Sequence, residues 1–238
     1  MGLDRDTAIT WLGHAVFVIE TPGNKRLIID PWLTENPSCP EGRKDVGRVD
    51  AVLVTHGHSD HSGDAVGVAN GSSCPILGTV ELCAGLQGQG AAQTTGFNLG
   101  GTVEVAGVKV TMVKAEHTSS LIGGDGLPVY AGVPVGYVIE MENGFKIYHA
   151  GDTGLFGDMT LIGELYGPDL ALLPIGDHFT MGPAHAARAC RMLGVGHAVP
   201  MHFGTFPLLT QSADSFVEAA GAIDGLTVHV LEPGETLR

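Results

Sequence analysis

The residues with the clearest capacity for chemistry lie together in one short segment. Three histidines and one aspartate fall within six positions, in the run His56-Gly57-His58-Ser59-Asp60-His61. Neutral imidazole and carboxylate are ligands of zinc, manganese, iron and nickel, and small residues between them let a loop wrap closely round an ion. Histidines that only cap a strand would gather desolvated or repelling groups with no cation to offset the cost. The segment therefore predicts a metal site.

Three single residues farther along the chain extend this cluster, and each follows an apolar run with strand character. Loops that follow several strands meet at one edge of a sheet, where the sites of layered α/β proteins usually lie. Each residue alone would be read as an ordinary surface or hydrogen-bonded side chain, but with the cluster they form a set. The predicted metal ligands are His56, His58, Asp60, His61, His117, Asp152 and His202.

The elements that must position these ligands are short strands with tight connections. The chain has 36 glycines and many short apolar runs separated by turn signals. Several runs are continuously apolar, as expected of strands covered on both faces. The predicted strands are Ala15–Glu20, Arg26–Asp30, Ala51–Thr55, Val108–Ala115, Val135–Met141, Phe145–His149, Leu170–Pro174 and Thr227–Leu231.

Helical spacing is clearest in two segments of the second half. Ala184–Leu193 has Pro183 near its first turn, and Ala213–Ile223 has Ser212 as its expected N-cap. Weaker helical patterns cover Ser62–Ala69, Thr79–Leu86 and Phe156–Tyr166. Both halves place strands first and strand-helix units after them, which predicts two packed β-sheets with helices outside. The glycine-rich stretch Leu121–Gly132 is predicted to be a mobile surface loop.

Composition limits the classes of protein and partner. With 238 residues, 44% of them hydrophobic, the chain can bury one large core, and we expect a single domain over residues 1–238. No long apolar run and a charged N-terminal segment predict a cytoplasmic protein that does not bind membranes. A net charge of -14 argues against nucleic acid as a partner and favours a small-molecule substrate.

The pattern of ligands resembles that of the metallo-β-lactamase superfamily, in order and in spacing, over nearly the whole chain. Four further segments resemble its ascorbate-6-phosphate lactonase-like branch, and most closely the uncharacterised metal-dependent hydrolase family of that branch. They are Thr10–Ala15, Asp30–Leu33, Gly151–Phe156 and Thr180–Pro183. The resemblance implies an α/β fold, a four-layer αββα sandwich with the site at one edge of the two sheets, and a homo-oligomer.

The same resemblance implies a division of the ligands between two divalent metal ions. His56, His58 and His117 would bind the first ion, Asp60, His61 and His202 would bind the second, and Asp152 would bridge both. Asp30 matches an acidic residue that hydrogen-bonds to the histidine loop without being a ligand. Zinc is the first choice of metal, with manganese, nickel and iron as alternatives.

Three residues are candidates for a catalytic role. Asp60 lies next to the water that two ions would hold and could accept its proton. The resemblance places His178 beside the metals, as a substrate contact or proton donor to the leaving group; the alternative is a histidine satisfied by Asp177 or by backbone. For His14, which the family pattern also places near the site, a catalytic role and a structural hydrogen bond both stay open.

These features predict an enzyme that hydrolyses a small ester, lactone or related substrate with a hydroxide held on the metal ions. Two alternatives stay open: a phosphodiesterase that acts on a small phosphate diester, and a non-catalytic metal-binding or sensing protein. Seven ligands shared by two ions leave coordination positions for water, whereas a structural zinc site is normally closed by four protein ligands. The number of ligands therefore favours an enzyme.

Overall fold

The computed structural model describes Leu3 and residues 6–238, and its framework is a pair of seven-stranded β-sheets. In spatial order the first sheet contains β16 (Thr236–Leu237), β1 (Ala8–Trp11), β2 (Phe17–Glu20), β3 (Arg26–Ile29), β4 (Ala51–Leu53), β5 (Ile76–Thr79) and β6 (Thr94–Phe97). The second contains β15 (Thr227–Val228), β14 (His197–Met201), β13 (Leu170–Pro174), β12 (Lys146–His149), β11 (Val135–Glu140), β8 (Val108–Lys114) and β7 (Thr102–Val105).

Helices cover the outer faces of both sheets. On the first sheet these are α2 (Ala65–Ser72) and α3 (Val80–Gly88), and on the second they are α4 (Met159–Tyr166), α5 (Pro183–Leu193) and α6 (Asp214–Ala220). The short helix α1 (Ser59–Ser62) follows β4. A 3₁₀ turn, Glu41–Arg43, lies in the connection before β4. None of the helices in the described part of the chain is long and apolar enough to cross a lipid bilayer.

The largest core lies between the two sheets. Side chains alternate across each strand, so one face of every central strand points inward. Phe17 and Leu27 from the first sheet pack in one cluster with Val110, Met112 and Tyr137 from the second. Two smaller cores lie under the helices, one on each outer face. The predicted αββα sandwich is therefore confirmed.

Strand direction decides where the connecting loops gather. Strands β3, β4, β5 and β6 are parallel in the first sheet, and β12, β13 and β14 are parallel in the second. Both β8 and β12 run antiparallel to β11, so they share one direction. The carboxyl ends of β8, β12, β13 and β14 therefore open at the same edge.

Two predictions about local structure are wrong. The stretch Leu121–Gly132 is not a loop, because β9 (Ser120–Ile122) and β10 (Pro128–Tyr130) pair within it as an antiparallel hairpin. Ser212 is not the N-cap of the last helix, because Ala213 holds that position and the helix covers only Asp214–Ala220. The Ser212 hydroxyl still accepts a hydrogen bond from the Asp214 backbone N–H at 3.4 Å and donates to the Asp214 carboxylate at 2.9 Å. By contrast, Pro183 does begin α5, as predicted.

Candidate metal centre

The histidine loop after β4 is held by a buried carboxylate at the end of the neighbouring strand. Asp30 follows β3 and has a left-handed backbone, with φ 49°. Its Oδ1 accepts a hydrogen bond from the Thr55 backbone N–H at 2.7 Å. Its Oδ2 accepts from Thr55 Oγ1 at 2.7 Å and faces His61 Nδ1 at 2.9 Å. The contact between Asp30 and the loop is thus the one that the resemblance implied.

These hydrogen bonds also assign the tautomers of two ligands. The carboxylate of Asp30 cannot donate, so Thr55 gives it the hydroxyl proton and must accept from His56 Nδ1, which lies 3.0 Å away. His61 Nδ1 likewise donates to Asp30. A metal-ligating histidine characteristically donates its other ring N–H in this way, which orients the ring. The Nε2 atoms of His56 and His61 therefore face the centre of the site.

The remaining candidate ligands come from the second sheet. His117 follows β8, Asp152 follows β12, and His202 follows β14 directly with φ 57°. Gly151 precedes Asp152 with φ 61°, and a Cβ built there would lie 2.6 Å from the carbonyl oxygen of Val135. Only glycine can bring the Asp152 loop this close to its neighbour.

Asp152 lies between the two groups of ligands. Its Oδ2 is 3.0 Å from His202 Nε2, 3.3 Å from His61 Nε2 and 3.7 Å from His117 Nε2. Three groups of possible metal-donor atoms lie in this region, and the atoms within each group are less than 4.8 Å apart. These groups are His56 with His58 and His117; His56 with His61 and Asp152; and Asp60 with His61, His202 and His14. The structure thus brings all seven predicted ligands together.

The donor set fits divalent cations. His61 Nε2, His202 Nε2 and Asp152 Oδ1 are buried and have no hydrogen-bond partner among the described residues. A buried polar atom left in this state costs about 1–3 kcal/mol. A cation between these atoms would remove that cost, because imidazole nitrogen and carboxylate oxygen are its natural ligands.

The protonation states of the side chains also suit the binding of a cation. Burial lowers the pKa of His56 well below its usual range, so this imidazole is neutral. For Asp152 burial alone would raise the pKa, but His202 and His61 outweigh it and the pKa is lowered. For His61, burial alone would lower the pKa, yet the flanking Asp152 and Asp30 raise it.

Comparison with known proteins agrees with this geometry. Residues 25–203 match the family model described as the Beta-lactamase superfamily domain. The chain belongs to the metallo-β-lactamase superfamily.

The names of similar proteins indicate the kind of activity. A protein of Rubrobacter xylanophilus, named as a metal-dependent hydrolase, is 52% identical over 232 residues, which cover 97% of this chain and 96% of that one. A metallo hydrolase of Ignicoccus hospitalis is 36% identical, with a TM-score of 0.85 and 97% of each chain covered. This member of the superfamily is accordingly a metal-dependent hydrolase, which decides against the non-catalytic hypothesis.

His14 is buried against the ligands of the second group. Its Nδ1 lies 3.1 Å from Thr205 Oγ1, its Nε2 lies 3.3 Å from Asp60 Oδ2, and its ring centroid is 3.9 Å from that of His202. Burial first, and the neighbouring His202 next, lower its pKa to about 4. The side chain is fully buried, so it has no exposed surface with which to touch a substrate on the open side.

His178 lies farther out than the ligands. It follows β13, its side chain is exposed, and its ring packs edge-on against Phe179 with centroids 4.5 Å apart. In the part of the chain that the structure describes, its recorded ring contact is to Phe179 and not to a candidate ligand. A role for His178 in contacting substrate or protonating the leaving group stays a prediction.

Three residues that hold the ligand loops were not singled out, or only in passing, from the sequence. Thr55 relays the charge of Asp30 to His56. Tyr137 donates its hydroxyl proton to the carbonyl oxygen of Val54 at 2.7 Å, from the second sheet to the first. His149 accepts from the Gly151 backbone N–H at 3.1 Å and bonds to the carbonyl of Ala15. A polar residue at the end of an apolar strand, directly before a ligand, is the signal that could have found Thr55.

Proposed function

We propose that this hydrolase cleaves a small ester, lactone or related acyl substrate with two divalent cations held by the seven ligands. The supporting observation is the position of Asp152, whose Oδ2 lies within 3.7 Å of histidine nitrogens from both groups. His56, His58 and His117 would hold the first cation, and Asp60, His61 and His202 the second. Zinc is the first candidate, with manganese, nickel and iron as alternatives, since this donor set accepts several metals.

Cations bound here supply an activated water and Lewis-acid polarisation of the substrate oxygen. The buried and the exposed residues would have different roles. His56, His61 and Asp152 are buried and close the floor of the site to bulk water, whereas His58 and His117 are partly exposed. Asp60 is also open, with 28% of its side chain exposed. Its Oδ2 faces His14, so Oδ1 is the atom that would accept the proton of the nucleophilic water.

The charges around the site favour an uncharged acyl substrate over a phosphate diester. Enzymes that transfer phosphoryl groups commonly add Arg or Lys to the cations as clamps on the phosphate oxygens. Among the described residues, every ion pair of the candidate ligands joins histidine to a carboxylate, without Lys or Arg. The net charge of -14 would repel an anionic substrate as well.

The experiment combines metal analysis with a substrate panel. Protein purified without added metal would be assayed for bound metals, then for turnover of a lactone, an aryl ester and bis-p-nitrophenyl phosphate. We expect two metals per chain and the fastest turnover with the lactone or ester. His58→Ala and Asp152→Ala should lose both metal and turnover. His185→Ala is the matched control, because His185 is exposed on α5, outside the candidate site.

Three results would contradict the proposal. Faster turnover of the phosphate diester than of the lactone and ester would overturn the acyl substrate class. Unchanged turnover in Asp152→Ala would overturn the assignment of the site. Stable protein that binds no metal under any supply would overturn both.

A further inference from the structure

One buried histidine joins the second group of ligands although the superfamily pattern of seven ligands does not include it. His14 lies in the connection between β1 and β2 and is fully buried. Its donor atom lies within 4.8 Å of those of Asp60, His61 and His202. The ring occupies a fixed place, with Trp32 at 5.2 Å and Phe206 at 5.5 Å between ring centroids.

The Nε2 atom of His14 lacks a hydrogen bond, as do the Nε2 atoms of His61 and His202. All three are buried and without a hydrogen-bond partner among the described residues. The contact from His14 Nε2 to Asp60 Oδ2 measures 3.3 Å but lacks the alignment of a hydrogen bond. Leaving such an atom unpaired in the interior is costly. A cation that already binds His61 and His202 would satisfy it.

The other ring nitrogen of His14 has the partner that a metal-ligating histidine needs. Nδ1 lies 3.1 Å from Thr205 Oγ1, and the hydroxyl of Thr205 has its own acceptor, the carbonyl oxygen of Phe203, at 3.4 Å. With the Thr205 proton directed to Phe203, Nδ1–H of His14 donates to Thr205 and Nε2 carries the lone pair. This is the arrangement that fixes the tautomer of ligating histidines.

The backbone of His14 is tied to one of the recognised ligands. Its carbonyl oxygen accepts from the His202 backbone N–H and from Trp11 Nε1, both at 2.9 Å. His14 and His202 are both non-glycine residues with a left-handed backbone, at φ 55° and 57°. Strained backbone of this kind persists only where surrounding structure enforces it, and it gathers at functional sites. The backbones of the two residues are thus held together.

We propose that His14 is a further ligand of the second cation, beside Asp60, His61 and His202. This inference rests on the proposed dinuclear site. With Asp152 shared, the second cation would have five protein donors and the first would have four. Five protein donors exceed the four that zinc usually takes, whereas manganese, iron and nickel accept higher coordination numbers. The two positions would therefore differ in the metal that they prefer.

Nitrogen spectroscopy on the full chain tests the ligand directly. The protein would be labelled with ¹⁵N-histidine, stripped of metal and titrated with zinc, and each ring nitrogen followed by long-range ¹H–¹⁵N correlation. We expect Nε2 of His14 to move to the shift of a metal-bound nitrogen together with His61 and His202. His149 is the internal control, because both of its ring nitrogens already have partners and should not change.

The outcomes separate this inference from the proposed function. Uptake of fewer than two zinc ions per chain would overturn the dinuclear site itself. Two bound zinc ions with a proton still on His14 Nε2 would overturn only the ligand assignment. His14 would then be a positioning residue that donates to Asp60.

A variant tests separately whether His14 serves the second cation and not the first. His14→Asn suits the left-handed backbone, which asparagine tolerates better than most residues. In a competition titration with a chelator, we expect its second zinc to bind at least about 10- to 100-fold more weakly, the range for losing even a hydrogen-bond partner of a ligand. The first zinc should bind as in the parent protein. Equal weakening at both positions, or none, would contradict the proposal.

Discussion

The two sheets contribute to the metal centre in different ways. The first sheet provides four candidate ligands from one segment after β4, whereas the second provides three that follow three different strands. Hydrogen bonds already fix the loop of the first sheet, through Asp30 and Thr55. In the second sheet, neither the ring nitrogens of His202 nor Asp152 Oδ1 have a hydrogen-bond partner among the residues that the structure describes. One half of the site is thus organised by the protein, and the other half would be organised by the cations.

Direct hydrogen bonds join the two halves close to the ligands. The Tyr137 hydroxyl donates to the carbonyl oxygen of Val54 at 2.7 Å, and the Val135 backbone N–H donates to the carbonyl oxygen of Thr55 at 3.0 Å. Both donors lie in β11 of the second sheet, and both acceptors come just before the histidine loop. The distance between the ligand groups therefore depends on sheet packing as well as on the loops.

The largest effect should come from Asp152→Ala, because this carboxylate serves both groups. We expect hydrolysis to fall by at least about 100-fold, the loss typical of a preorganised charged group. Metal analysis should show less than one ion per chain, and His58→Ala should retain more metal than Asp152→Ala. If Asp152→Ala kept two metals, the bridging role of this residue would be wrong.

Removal of the metals should reveal which half depends on them. A cation present at 100 times its dissociation constant stabilises the folded chain by about 2.7 kcal/mol, and in a domain of this size that corresponds to a fall in Tm of about 5–10 °C on chelation. Hydrogen exchange should rise most around Asp152 and His202 and least around Thr55 and His56. Equal loss of protection in both regions would contradict the comparison of the two sheets.

Thr55→Val should weaken metal binding mainly at the position of the first cation. The substitution keeps the shape but removes the relay between Asp30 and His56, so we expect the first cation to bind about tenfold more weakly. Unfolding should become about 1–3 kcal/mol easier, because a buried acceptor loses its donor. Thr102→Val is the matched control, since Thr102 bonds to Thr111 at the far edge of the second sheet. Chelator competition and thermal denaturation measure both effects.

The smallest effect should come from Tyr137→Phe. Losing the hydrogen bond to Val54 costs about 1 kcal/mol, which lowers Tm by about 2–4 °C in a domain of this size. The ring remains in the core between the sheets, and we expect both cations to stay bound. Loss of metal from this variant would show that the cross-sheet bond sets the distance between the ligand groups.

Much of this site was predictable because its signals are local. The cluster from His56 to His61 follows a continuously apolar strand, so its chemistry and its place at a strand end could both be predicted. His117, Asp152 and His202 were predicted by the same rule. The hairpin of β9 and β10 was missed because its glycines and Pro128 are typical of a loop, while its strand character comes from pairing. Ser212 lies one position before the N-cap, because the first turn of the helix closes on the carbonyl oxygen of Ala213, and a local pattern does not fix a helix end to a single residue.

The sequence by itself determined the ligand types, the apolar strands that precede them and the layered class of the fold. Ligand chemistry is a property of side chains, and burial periodicity is a property of short segments. Only the tertiary structure decided that Asp152 lies between the two groups, that Asp30 and Thr55 orient the histidines, and that His14 lies against Asp60 and His202. Those facts depend on strand direction, on register and on left-handed backbone at His14, Asp30 and His202, which the packing of the two sheets enforces and no local pattern specifies.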